Sequence, residues 1–90
     1  MKARLVEVER VEGEGLMALT GQRVLLMCMN YFYAGKLVGV NSDDVILEDA
    51  RIVYDTGTWS NDSYVDAQKI GPKEWLVRTG VIESYGKVDK

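Results

Sequence analysis

Histidine is absent from this chain, and cysteine, proline and phenylalanine each occur once. Without histidine, the commonest general base and the commonest nitrogen ligand for zinc are missing. The single cysteine, Cys28, excludes an internal disulfide framework; set in an apolar strand, it reads as a small buried hydrophobe. A reducing compartment is compatible with that usage, and a cytoplasmic location is expected. No apolar run approaches the roughly 18–20 residues of a membrane span, and no signal-peptide pattern is read at the N-terminus. No membrane partner is therefore expected. Positive charge is also in short supply: 11 Lys and Arg stand against 14 Asp and Glu, a net charge of −3. That balance argues against coating nucleic acid through overall basicity and leaves only local binding open.

What the chain does have is a dense succession of strands. Its 90 residues are read as one domain, 1–90. A chain of this size buries only about 60–65% of its unfolded surface and gains much from association. Val24 to Met29 is apolar at every position, so both faces of this strand need cover. Val24, Leu26 and Cys28 suit the core, and Leu25, Met27 and Met29 need an N-terminal segment or a neighbouring subunit over them. Asn30 turns the chain into a second strand, Tyr31 to Val40, which Gly35 and Gly39 interrupt. Glycine inside a strand permits a sharp bend or a close backbone approach, the device used at the corners of small barrels. Asn41 to Asp44 is a polar turn, and Val45 to Leu47 opens a third strand that runs on through Ile52, Val53 and Tyr54. A bent meander of this kind points to an all-β fold, a small closed or nearly closed barrel.

The flanks are less regular. In the N-terminal extension, 1–20, Leu5, Val8 and Val11 fall at helical spacing within a stretch that also partly alternates like an edge strand. Gly13 and Gly15 mark a turn, and Leu16 to Leu19 suits one helical turn or a short connector. Residues 55–72, bounded by Gly57 and by Gly71-Pro72, read as a largely polar loop. Lys73 to Thr79 and Val81 to Tyr85 would be the last two strands, and Gly86 to Lys90 a frayed polar tail.

Few residues suggest chemistry directly. Asn41, Asp43, Asp44, Glu48 and Asp49 lack the spacing and central glycine of a calcium loop and read as turn and strand carboxylates. Asn61-Asp62-Ser63 matches a glycosylation sequon, which without a secretory signal is read as chance. Tyr31, Phe32, Tyr33 and Trp59 suit core packing and subunit contact better than an aromatic cage. No nucleophile–base pair, phosphate loop or metal-ligand spacing is evident, so neither an enzyme nor a cofactor is expected.

Two stretches resemble the motifs of the Sm/LSm (Sm-like) family. Gly21, Val24, Leu26, Cys28, Gly35-Lys36-Leu37, the turn Asn41 to Asp44, Val45-Ile46-Leu47 and Asp49-Ala50 are similar to the first Sm motif, within 21–54. Val77-Arg78-Thr79-Gly80-Val81-Ile82, within 73–85, resembles the second. The two cover less than half the chain and keep the family's order. The resemblance implies a five-stranded, strongly bent SH3-like barrel of Sm type, with a short N-terminal helix or extra strand, assembling with itself as a homo-oligomeric ring. It also implies non-catalytic binding of single-stranded RNA at the inner rim, in a chaperone or scaffold role. There the family's turn aspartate falls on Asn41, its stacking residue on Asp43, its base-reading asparagine on Asp44, its arginine on Arg78 and its glycine on Gly80.

This sequence departs from the pattern. The turn is one residue short, Thr79 separates Arg78 from Gly80, and two carboxylates stand where a stacking face and an amide belong. The missing histidine sets the chain apart from the bacterial host-factor branch, whose second motif carries a tyrosine-lysine-histidine element. The stretch from Val77 to Gly80 looks closer to the archaeal and eukaryal pattern. The alternative is an SH3-like protein-interaction or structural module with no nucleic-acid site.

Overall fold

A computed structural model describes residues 15–90. The chain is mostly β. After a 3-10 helix at Gly15–Leu19 come β1 (Arg23–Cys28), β2 (Phe32–Val40), β3 (Asp44–Asp55), β4 (Asp66–Lys69) and β5 (Glu74–Arg78). A second 3-10 turn, Thr79–Val81, leads into β6 (Ile82–Lys87). All pairings are antiparallel, and the sheet runs β4-β3-β2-β1-β6, with β5 also on β3. The strand path stays open at its two ends. Among the described residues, no helix is long and apolar enough to cross a membrane. The stretch that mixes alternation with helical spacing, from Leu5 to Val11, lies outside the described residues.

The expected count of five strands becomes six, because the 55–72 loop contains β4. The physical reason lies in β3. It is 12 residues long, and its two halves take different partners on the same edge. Asp44 to Glu48 pairs with β5, and Arg51 to Asp55 pairs with β4. The two short strands are one strand broken at Ile70 to Lys73, where Gly71 and Pro72 interrupt the ladder. Gln68 and Lys69 are polar because their strand is short and exposed, which left no apolar alternation to read.

Opposite that break, the β2–β3 ladder slips. Register jumps from Ala34↔Arg51 to Lys36↔Glu48, so Asp49 and Ala50 form a bulge against Gly35. A Cβ on Gly35 would stand 3.0 Å from the Glu48 carbonyl oxygen and 3.2 Å from the Ala50 Cα. Only glycine lets the two backbones approach this closely. Asp49 takes a left-handed conformation, φ 49°, that aspartate tolerates better than most residues.

The sheet buries both faces. One cluster joins Val24, Leu26, Cys28, Leu37, Val45, Leu47, Ala50, Ile70 and Val77, with Leu16 and Leu19 of the 3-10 helix packed against it. The inward set of β1 is therefore the expected one. Burial pushes the Cys28 thiol up, with a further push from Glu83, as befits an inert core thiol. The other face holds Leu25, Ala34 and Val53. Among the described residues its cover is Tyr64 of the loop and Val88 of the tail, packed with Met27 and Phe32; the N-terminal segment lies outside the described residues. Met29 lies beyond β1 and is 70% exposed. Nor is the tail frayed: Val88 N–H donates to the Arg23 carbonyl at 3.0 Å, and the Tyr64 hydroxyl donates to the Lys90 carbonyl at 2.8 Å.

Candidate functional site

The turn from Asn41 to Asp44 is held by its own first residue. Asn41 Oδ1 accepts hydrogen bonds from the backbone N–H groups of Asp43, at 2.9 Å, and Asp44, at 2.8 Å. Asn41 N–H in turn donates to the Asp44 carbonyl at 2.9 Å. This is an asparagine-closed turn.

Arg78, Thr79 and Gly80 reach the same end of the sheet because β5 runs antiparallel to the start of β3, with Arg78 directly opposite Asp44. Thr79 then clips the two turns together. Its N–H donates to the Asp43 carbonyl at 2.8 Å, and its hydroxyl lies 3.0 Å from the Ser42 carbonyl and 3.2 Å from that of Asp43. In the sequence Thr79 interrupts the stretch that resembles the second motif. Structurally it is the clamp, and the signal for it is a hydroxyl residue in a turn, which bonds nearby carbonyls.

All five candidate residues thus share one rim, and they differ in what they can offer. Asn41 is consumed in shaping the turn. Asp43 is exposed, with a carboxylate and no flat face. Arg78 Nε sits 3.9 Å from Asp44 Oδ1, a long contact on a side chain that is 80% exposed. Among the described residues its guanidinium makes no closer ion pair, and a contact this long and exposed holds it only loosely. Gly80 is not demanded by its surroundings, since an added Cβ would meet nothing within 4 Å. In charge, the rim sets Asp43 and Asp44 against Arg78.

The remaining candidates disperse. Asp43 and Asp44 lie at the rim, whereas Asp49 sits at the bulge, and among the described residues no group of three or more His, Cys, Asp or Glu could hold a metal ion. Phe32 and Tyr33 pack against opposite clusters. Tyr31 meets Tyr54 edge-on with ring centroids 6.4 Å apart, and Trp59 lies over a groove beside Leu25, Met27 and Tyr85. Those aromatics do not converge on a cage. Neither a protein-family model nor a curated protein matches this chain.

Proposed function

We propose that this chain is an Sm-like, non-catalytic protein that folds its bent sheet as a small SH3-like barrel, assembles with itself into a ring, and contacts single-stranded RNA at the rim carrying Arg78. The observation that carries the reading is the meeting of the Asn41–Asp44 turn with the Arg78–Gly80 turn, the two segments that resemble the Sm motifs. Exposed guanidinium and backbone at one edge suit a base, because stacking needs only a flat partner and base edges supply donors and acceptors. Support for self-assembly comes from the sheet's ends. No described strand covers the outer edges of β5 and β6, and Trp75 and Leu76 on β5 and Tyr85 on β6 are exposed there. Open edges bearing apolar side chains pair readily with another chain, and a heterologous contact of this kind closes into a ring when its rotation permits.

Asp43 and Asp44 favour a second reading, a ring or interaction module without nucleic acid, since they repel phosphate. One experiment separates the two. Light scattering after size exclusion should give several subunits at micromolar concentration, and binding of oligouridylate should weaken as salt rises. Arg78→Ala should weaken that binding and leave the oligomer intact. A monomer would end the ring reading, and equal affinity in parent and variant would end the RNA reading at this rim.

A further inference from the structure

The bulge that kinks β2 and β3 also gathers positive charge. A hollow of about 460 Å³ opens beside it, and its charged lining is Arg23, Lys36, Lys69 and Lys73 against Glu48 and Asp49. The hollow thus carries more positive than negative charge in a chain whose net charge is −3. These cations come from four segments: the start of β1, the middle of β2, the end of β4 and the Gly71–Lys73 break.

The pairing around the hollow is costly for an empty surface. Arg23 stands directly opposite Lys36, and Arg51 directly opposite Lys69. Like charges facing each other across antiparallel strands destabilise a sheet. Asp49 is the resident neutraliser. Its Oδ2 lies 3.1 Å from Arg23 Nη1 and its Oδ1 3.5 Å from Lys69 Nζ, and it holds this place in the left-handed backbone conformation. Such conformations concentrate at ligand sites, where the surroundings impose them. Lys36 and Lys73 form no ion pair among the described residues. Among the described residues, two ammonium groups thus stand without an ion-pair partner beside an arginine fork.

We propose that this hollow binds a phosphate-bearing ligand, with Arg23, Lys36, Lys69 and Lys73 as its cationic contacts and Asp49 as the counter-ion that the ligand displaces. Arginine presents a planar fork that matches phosphate oxygens, and lysine supplies movable point charges. The volume falls in the range of small-ligand pockets. Access is open on the side of Gly21 and Gly71, where an added Cβ would meet nothing within 4 Å. The site is separate from the Arg78 rim: Asp44 and Asp49 lie on one strand, roughly 15 Å apart at the usual strand rise. It stands whether or not the rim binds RNA.

Pyrophosphate titrated into the folded protein, followed by amide chemical shifts, tests the proposal. Saturable shifts should appear at Gly21, Lys36 and residues 69–73, and not at Asn41 to Asp44 or Arg78 to Gly80. Lys36→Ala and Lys73→Ala remove no ion pair among the described residues, so both variants should keep the fold, and each should raise Kd about tenfold. Asp49→Asn should lower Kd several-fold, because asparagine keeps the left-handed backbone and drops the competing charge. A short oligouridylate forms the second arm. If it binds the same lysines more tightly than pyrophosphate, the phosphate belongs to a nucleic-acid backbone; weaker binding points to a small phosphorylated molecule. Three results would overturn the site: shifts that fail to saturate by about 10 mM ligand, affinity indifferent to both lysine variants, or loss of pyrophosphate binding in Arg78→Ala. Unchanged affinity in a folded Asp49→Asn would overturn the counter-ion role.

Discussion

The rim and the hollow are built from opposite materials. At the rim, residues near in sequence within two short turns meet through backbone and hydroxyl hydrogen bonds, and the charge is two carboxylates to one arginine. At the hollow, four distant segments converge on a glycine-dependent bulge, and cations outnumber carboxylates. The net charge of −3 averages over both and describes neither. A motif-guided reading finds the first region because its residues lie close along the chain. The second is made by register alone. Binding chemistry for an anion is therefore stronger where no motif points.

The largest expected effect falls on the frame of the hollow. Gly35→Val places a side chain against the Glu48 and Ala50 backbone, atoms that cannot swing aside. Overpacking of this kind costs about 1–3 kcal/mol, and the loss should sit at the upper end. Gly80→Ala at the rim is the matched comparison: with nothing within 4 Å of its added Cβ, its unfolding free energy from urea titration should stay within about 0.5 kcal/mol of the parent's. Similar losses in the two variants would mean that the bulge is no more constrained than the rim turn.

The next effect converts the rim toward the chemistry it lacks. Asp43→Tyr with Asp44→Asn removes both carboxylates and adds a stacking face. Base–aromatic stacking is worth roughly 1–3 kcal/mol per base, so oligouridylate affinity should rise about tenfold or more if the rim faces RNA. Fluorescence anisotropy at low salt measures it. No gain, with the oligomer intact, would leave the rim a structural turn and make the hollow the only anion-binding candidate of the two.

How far the sequence could lead follows from the same contrast. The strands of the meander are legible because Val24 to Cys28 and Val45 to Leu47 are apolar runs between clear turn residues. Gly35 was recognisable as a bend, although its tight contact with Glu48 and Ala50 was not. β4 escaped notice because Asp66-Ala67-Gln68-Lys69 has the composition of a loop; it is a strand only because β3 is long enough to template it. The packing of Tyr64 and Val88 against Leu25 and Met27 is illegible for a related reason. Tyr64 lies in a polar stretch, and Val88 sits in a tail that composition marks as loose. The rim residues are legible only through resemblance, and the clamp, Thr79, breaks that pattern. The hollow left no local trace, since Arg23, Lys36, Asp49, Lys69 and Lys73 are each ordinary polar residues until the bulge brings them together.

The smallest expected effect concerns the titration of Asp49, and it sharpens the contrast most directly. Burial alone pushes its carboxyl up, but Arg23, Lys69 with its hydrogen bond, and Arg51 together outweigh that push and hold it below the ordinary carboxylate range. A carboxyl with a depressed folded-state pKa adds stability that is fully present above its unfolded value, near about 3.9. The contribution is lost as pH falls through the lower folded value. Asp49 is 48% exposed, so solvent screening limits the effect to about 1 kcal/mol at most. Urea midpoints of parent and Asp49→Asn, compared from neutral to acid pH, should differ at pH 7 in the parent's favour, and the two should converge in acid. Added salt should shrink the gap at neutral pH, because these charges face solvent. If pyrophosphate occupies the hollow, the order reverses in its presence: Asp49→Asn, freed of the competing carboxylate, gains more stabilisation from the ligand than the parent does. A gap that persists unchanged into acid would assign Asp49 to backbone geometry instead, leaving the hollow's cations without their resident counter-ion.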